Sequence, residues 1–292
     1  MKKGTLKIIQ MQYLSSLAGK LSLSVSLLFV VLFSLTGESA EARCDKTLTV
    51  HLDLHAPSAY LDNNGQVAGM DAMLAQRILT KAGCKVEWHL IAMTGERILR
   101  SLQQGKFDVM IRASKTVQRQ EYAYFSEPYR DEIVGLFSRK QLELPPTISM
   151  FDALEQQIRL IGPVSGWYGD KFEVLRSELK KKGDYTAYPD AKRATELLFI
   201  EPSRGNLLLV DADIFYLHLG KERYNQVKLV GNNLHISPAS LMFSKSSLEK
   251  SDLIAINQAI LQLQQTGELK AIENSYRPQS LQKLLKANTP HL

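Results

Sequence analysis

Short apolar segments and amphipathic helical patterns alternate along most of this chain, and this alternation limits the possible folds more than any other feature. The pattern predicts strands at residues 47–53, 85–90, 107–111, 133–137, 159–161, 185–188, 206–210, 227–230 and 241–243. It predicts helices at residues 70–82, 98–102, 171–181, 191–200, 253–264 and 267–275. Strands separated by helices pair in parallel, so the sequence predicts an α/β protein.

A break at Leu144, Pro145 and Pro146 divides the alternating pattern into two series. A chain of 292 residues has room for two lobes of ordinary size. We therefore predict two α/β lobes that meet near the two prolines.

The composition is that of a soluble globular protein, with 45% apolar and 23% charged residues. The net charge is +6, but no long basic run accompanies it, and the three lysines at 180–182 fit the solvated end of a helix. We therefore predict no nucleic-acid partner.

The first 42 residues have the features of a signal peptide. Lysines supply all the charge of residues 1–20, residues 21–35 are almost entirely apolar, and Ala40-Glu41-Ala42 fits a cleavage site. An apolar run of this length is short for a membrane span, which needs about 20 residues. We predict a mature protein that starts near Arg43 in the periplasm; an uncleaved anchor is the alternative.

Two cysteines follow this segment, Cys44 just before the first predicted strand and Cys84 at the start of the second. If these strands are parallel neighbours, both thiols lie at the same sheet edge, and an oxidising compartment favours a disulfide. Two free thiols are the alternative. No second Cys or His stands at ligand spacing around either, so we predict no metal site.

A polar loop follows the predicted strand at 107–111 and carries Arg112, Ser114, Thr116 and Arg119. Ligands of open α/β sheets bind at the carboxyl ends of the strands. Hydroxyls and guanidiniums close together suit a small anion, most simply a carboxylate.

Four motifs, in order along the chain, resemble those of the periplasmic solute-binding proteins of family 3, the polar amino-acid type that serves ABC importers. They are NNGQVAGMD at 63–71, LQQGKFDVMI at 102–111, SKTVQRQ with FSEPY at 114–129, and the segment from LMFSKSS to ENSY at 241–276. The resemblance implies a type II periplasmic-binding-protein fold with two Rossmann-like α/β lobes and a two-stranded hinge. Lobe 1 would comprise 43–135 and 234–292, and lobe 2 would comprise 136–233, with the ligand in the cleft between them.

The resemblance also implies roles for single residues. Arg119 corresponds to the arginine that clamps the ligand's α-carboxylate, and Ser114 corresponds to a hydroxyl that meets the same group. Thr116 corresponds to a second hydroxyl, which more often caps the following helix. Asp211 corresponds to the acidic residue that binds the ligand's α-amino group, with Asp213 as the competing candidate.

Other positions depart from the family pattern or match it less closely. Asp53 stands where many members place a further polar contact. Members of the family also have aromatic residues nearby that this chain lacks, and Tyr60 can substitute for them. Arg112 stands where Gly or Ser is usual, and it either meets the ligand or pairs with a carboxylate of the protein. The rings of Trp167 and Tyr168 either stack on the ligand or cover the rim of the cleft.

The sequence contains no nucleophile elbow, phosphate-binding glycine loop or histidine pair with metal-ligand spacing. We therefore predict a monomeric binding protein, not an enzyme, that needs no cofactor. Its ligand is a small amino acid or related carboxylate, and its partner is an inner-membrane permease or receptor. The alternatives are a sensory protein that serves a receptor or kinase, and an enzyme resembling cyclohexadienyl dehydratase on the same fold.

Overall fold

The computed structural model of the protein describes residues 44–144, 158–166 and 168–288. The predicted signal peptide, the two prolines of the predicted lobe boundary and Trp167 lie outside these residues. Over the described ranges, no helix has both the length and the apolar character needed to cross a membrane.

The first alternating series has its strands and helices near the predicted positions. Its elements are β1 Thr47–His51, β2 Tyr60–Leu61, β3 Val67–Ala68, α1 Met70–Lys81, β4 Lys85–His89, α2 Gly95–Gln103, β5 Val109–Ala113, α3 Val117–Gln120, β6 Ala123–Phe125 and β7 Arg130–Arg139. Strands β4, β1 and β5 pair in parallel, as the alternation predicts. Strands β2 and β3 form a small separate hairpin that carries Tyr60.

The second series continues from β8 to the last described helix. Its elements are β8 Leu160–Pro163, α4 Asp170–Lys182, β9 Tyr185–Tyr188, α5 Ala191–Phe199, β10 Leu207–Asp211, α6 Ala212–Leu219, a 3₁₀ helix Lys221–Gln226, β11 Val227–Ser244, α7 Lys250–Gln265, α8 Glu268–Tyr276 and α9 Gln279–Asn288. Strands β10, β8 and β9 pair in parallel. The strand order is β4-β1-β5-β11-β7-β10-β8-β9, with β6 also beside β11.

Two long antiparallel strands, β7 and β11, join the two parallel groups. The sequence predicts two short strands where β11 runs without interruption for 18 residues. Residues 234–239 of β11 stay extended because they pair with β7, from Leu234 opposite Gly135 to Ala239 opposite Arg130, and the register shifts between Leu229 and Leu234. This arrangement confirms the predicted fold class of two α/β lobes joined by two strands. The lobe boundaries near residues 135 and 233 remain a prediction.

Separate apolar cores lie on the two sides of the joining strands. The first contains Leu48 and Val50 of β1, packed against α1 and α7. The second group of strands has a core on each face, with α5 and α6 against one face and α4 against the other. The sequence did not predict α9, whose Leu281 and Leu285 are buried in the core that contains α5 and α6.

A buried ion pair fixes α1 to β7. Arg130 donates from Nε to Asp71 Oδ1 at 2.6 Å and from Nη2 to Oδ2 at 2.9 Å. Tyr129 donates its hydroxyl proton to Oδ1 at 2.9 Å. Burial alone would raise the pKa of Asp71, but the guanidiniums of Arg130 and Arg112 outweigh it and hold the pKa below its ordinary value. Asp71 is therefore an ionised carboxylate in the protein interior.

The predicted disulfide between Cys44 and Cys84 is confirmed. Strands β1 and β4 are parallel neighbours, and Cys44 donates its N–H to Ala82 O at 2.9 Å, so the two sulfurs meet at one sheet edge. Because the bridge joins residues 40 positions apart, it shortens a substantial loop of the unfolded chain.

We expect the double variant Cys44→Ser, Cys84→Ser to lose about 2–4 kcal/mol of unfolding free energy, because its unfolded chain regains loop entropy. Urea denaturation of the oxidised wild type and of the variant measures the difference. The reduced wild type is the control and should unfold near the variant's midpoint. Equal midpoints for oxidised and reduced protein would contradict this expectation.

We expect Arg130→Met to lose about 3–5 kcal/mol of unfolding free energy, because it leaves Asp71 charged and buried without its main partner. The double variant Asp71→Asn, Arg130→Met should recover part of the loss. Arg139→Met, at the other end of β7, is the matched control. Arg139 pairs with Glu201, whose side chain is 66% exposed, so its loss should cost less than about 1 kcal/mol. Equal losses for the two single variants, measured by urea denaturation, would exclude a special role for the buried pair.

Candidate functional site

Charged side chains from both halves of the molecule meet where β5 and β10 end. Arg112 is the last residue but one of β5, and Asp211 is the last of β10. Glu132, near the start of β7, lies between them and contacts Arg112. Parallel strands present their carboxyl ends at one edge, which is where open α/β sheets bind ligands. This edge is therefore the candidate functional site.

Arg112 has an unusual backbone conformation for a residue with a side chain. Its φ is 55°, in the left-handed region, which favours glycine. Its N–H donates to the hydroxyl of Tyr129 at 3.2 Å, and the same hydroxyl donates to the buried Asp71. The backbone of Arg112 is therefore held by the interior network around Asp71.

The side chain of Arg112 contacts three carboxylates. Its Nε donates to Glu132 Oε1 at 2.8 Å, and its Nη2 donates to the same oxygen and to Asp211 Oδ2, the latter at 3.2 Å. Asp71 Oδ2 lies 3.8 Å from Nε. In this structure Arg112 thus pairs with carboxylates of the protein, one of the two roles that the sequence left open.

Asp211 uses both carboxylate oxygens within the protein. Oδ1 accepts the N–H of Ile214 at 3.0 Å and caps α6, while Oδ2 accepts from Arg112. Burial raises the pKa of Asp211 to about 6, with Asp213 and Glu132 acting in the same direction and Arg112 opposing them. Each oxygen of the predicted anchor for a ligand's amino group therefore already has one donor within the protein.

Asp213, the competing candidate, also has a partner. Arg277 donates from Nε to Oδ1 at 2.8 Å and from Nη2 to Oδ2 at 3.0 Å. Both side chains are almost completely buried, and Glu273 contacts the same guanidinium. Asp213 therefore attaches α6 to the segment between α8 and α9.

Arg119 differs from the other arginines of this region. Its Nη1 donates to the carbonyl oxygen of Ser114 at 2.9 Å, and no carboxylate pairs with it within the described residues. Burial lowers its pKa, as expected for a partly desolvated cation. Thr116 caps the short helix α3 by accepting the N–H of Arg119 at 3.3 Å, which is the structural role considered for it. Arg119 thus keeps donors available for an anion.

A cavity of about 200 Å³ opens beside Arg112 and Asp211. Its lining residues are His55, Arg112, Pro163, Val164, Ser165, Tyr168, Tyr188, Pro189, Asp190, Ala191, Val210, Asp211, Ile214 and His218. Of the residues predicted from the sequence, the cavity brings together Arg112, Tyr168 and Asp211. The other described candidates, which are Asp53, Tyr60, Ser114, Thr116 and Arg119, do not line it.

Two histidines and an aspartate of the cavity wall were not predicted as site residues. His55 Nε2 donates a hydrogen bond to Asp53 Oδ2 at 3.0 Å, and this bond raises the pKa of His55 and lowers that of Asp53. Burial lowers the pKa of His218, although Asp190 acts against it. Within the described ranges no cluster of three acidic, His or Cys residues suits a metal ion.

We expect the titration of Asp211 to appear in the stability of the protein. Its folded pKa of about 6 lies above the ordinary 3.8, so its contribution is fully present at low pH and is lost as the pH rises through about 6. The unfolding free energy of the wild type minus that of Asp211→Asn should fall between pH 4 and pH 7, by on the order of 2–3 kcal/mol. Urea denaturation at several pH values measures it. A difference that stays constant or rises with pH would show that the pKa of the Asp211 carboxyl is not raised.

Comparisons with known proteins agree with this architecture. The model of the bacterial extracellular solute-binding proteins, family 3, matches residues 48–279. A histidine kinase sensor domain with similarity to periplasmic binding proteins superposes with a TM-score of 0.62 and 20% identity, covering 79% of this chain and 95% of that one. No curated protein sequence matches the chain.

Two ancestral proteins are also similar to the chain in structure. An arginine-binding protein bound to arginine has a TM-score of 0.60 and 23% identity, covering 80% of this chain and 98% of that one. An amino acid-binding precursor of cyclohexadienyl dehydratase has a TM-score of 0.60 and 21% identity, covering 79% and 94%. At these identities the structures show the fold alone. The family model, however, spans most of the chain, and the protein therefore belongs to the bacterial extracellular solute-binding proteins, family 3.

Proposed function

We propose that the protein is exported to the periplasm and captures a small amino acid or related carboxylate between its two α/β lobes, for delivery to an ABC importer. Arg119 is the observation that carries this proposal. It is a partly buried guanidinium that no carboxylate pairs with over the described residues. A desolvated cation without a counter-ion is costly unless an anion from outside neutralises it.

The surroundings of Arg119 suit a carboxylate. Ser114 lies five residues before it, with its carbonyl oxygen bound to the guanidinium and its hydroxyl available as a further donor. The planar fork of an arginine binds a carboxylate through two parallel hydrogen bonds. The rest of the ligand would occupy the cavity beside Arg112, which Tyr168 lines from the predicted second lobe.

The size of the cavity favours a small ligand, and its position favours lobe closure. It is lined by His55 and Arg112 from the predicted first lobe and by Tyr168, Asp190 and Asp211 from the predicted second lobe. A ligand held by both sides would stabilise the closed form, in which water is excluded from the charged groups. The closed form would be the state that an inner-membrane permease recognises.

The sensory alternative has support from the structural similarity to a histidine kinase sensor domain. Such a protein would use the same cleft and the same closure, with a receptor or kinase as its partner in place of a permease. The similar precursor of cyclohexadienyl dehydratase keeps an enzyme as a further alternative. We infer binding without conversion, because the groups of the cavity wall that could act as acid or base, Asp211 and His55, already pair with Arg112 and Asp53.

We expect Arg119→Ala to weaken ligand binding by roughly 10–1,000-fold, because it removes a charge-assisted, two-pronged contact. Calorimetric titration with a set of amino acids and small carboxylic acids identifies the ligand in the wild type and measures the loss in the variant. Arg204→Ala is the matched control, since Arg204 is exposed and precedes β10 at the opposite end of the sheet. Its affinity should equal that of the wild type.

Unchanged affinity in Arg119→Ala would show that the clamp is assigned to the wrong residue. The recovered ligand should also be chemically unaltered, as checked by NMR after prolonged incubation. Steady conversion of the ligand would replace the binding proposal with the enzyme alternative.

A further inference from the structure

Arg112 contacts Asp211, the residue that we predict from the sequence to bind a ligand's α-ammonium group. Asp211 gives one oxygen to the N–H of Ile214 and the other to Arg112 Nη2 at 3.2 Å. Both oxygens of this buried carboxylate therefore have donors before any ligand enters. Resting on the proposed function, we propose that the ligand is a carboxylate without an α-ammonium group, because Arg112 supplies the cation that Asp211 would otherwise take from the ligand.

Arg112 has too many contacts within the protein for a ligand to displace it from Asp211. Its backbone N–H donates to Tyr129, and its side chain contacts Glu132, Asp211 and the buried Asp71. If a ligand's ammonium displaced the guanidinium from Asp211, Arg112 would lose a charged partner within the protein. The contacts with Glu132 and Asp71 would still hold the side chain beside Asp211. An ammonium group therefore gains little at Asp211.

The other acidic residues near the cavity also have partners. Asp213 binds Arg277 through both oxygens, Asp53 bonds to His55, and Glu132 binds Arg112. Asp190 is the remaining carboxylate of the cavity wall, and its Oδ1 caps α5 by accepting the N–H of Arg193 at 2.8 Å. Asp190 is exposed, and its charge acts to raise the pKa of His55 and of His218. It therefore offers an ammonium group a contact in solvent and not a buried one.

The donors that are free suit an acid. Arg119 keeps its Nε and Nη2, and Arg112 keeps Nη1, without an acceptor among the described residues. Tyr168, from the second lobe, adds a phenol whose pKa is raised by burial, so it stays a donor at neutral pH. With Arg119 as the proposed carboxylate clamp, the Arg112 guanidinium and the Tyr168 phenol on the cavity wall suit a second acceptor of the ligand, such as a 2-oxo or 2-hydroxy group or a second carboxylate.

The test compares acids that differ only at the α-position. Wild-type protein is titrated by calorimetry with L-glutamate, 2-oxoglutarate and glutarate, with L-alanine, pyruvate and L-lactate, and with L-phenylalanine and phenylpyruvate. In the series that binds, the ammonium-free acid should bind at least about tenfold more tightly than the amino acid, because the ammonium group would lose its hydration without a buried partner.

Arg112→Gly should reverse or reduce this preference by at least about tenfold, because it frees Asp211 and because glycine adopts φ 55° without strain. Arg112→Lys is the matched variant that keeps the charge, and it should retain the preference for the ammonium-free acid. The comparison in the wild type stands even if Arg112→Gly folds poorly.

Each outcome separates the two proposals. Equal or tighter binding of the amino acid by the wild type, lost in Arg119→Ala, would overturn the inference about Arg112 and leave the proposed function intact. A preference for the ammonium-free acid that Arg112→Gly leaves unchanged would also overturn it. Binding of neither class would overturn the proposed function and the inference together.

Discussion

The buried carboxylate of Asp71 is the group on which the arrangement of this protein depends. Arg130 neutralises it from the start of β7, Tyr129 donates a hydrogen bond to it, and Arg112 approaches it from β5. Because an unpaired charge in the interior would be severely destabilising, these groups must stay where they are. Arg112 is thereby fixed at the edge where ligands of this fold bind, and its positive φ follows from that placement.

From Asp71 the network of charges continues across the joining strands into the second half. Arg112 contacts Glu132 of β7 and Asp211 of β10, so the guanidinium bridges the first group of strands, the hinge and the second group. Separation of the lobes would break the contact with Asp211 and expose both partners to water. The charge pairs inside the cleft and the degree of closure are therefore coupled, and we propose that a ligand held by both lobes adds to the closed side of that balance.

Features set by local pattern could be predicted from the sequence, and features set by distant pairing could not. The disulfide followed from the position of Cys44 and Cys84 beside two strands, and the alternation gave the fold class. The continuity of β11 depends on β7, about a hundred residues away, and the partners of Arg112 at Glu132 and Asp211 are 20 and 99 residues distant. The helix α9 has leucines at helical spacing, Leu281, Leu284 and Leu285, but it lies beyond the family motifs, and its packing against the second core reveals its role.

The most direct measurement is the crystal structure of the wild-type protein with its ligand bound. We predict the ligand's carboxylate on the guanidinium of Arg119, and Arg112 still paired with Glu132 and Asp211. An ammonium group of the ligand on Asp211, with Arg112 moved out of the cleft, would contradict the account of Arg112 as the built-in counter-ion. A ligand that does not touch Arg119 would contradict the account of the clamp.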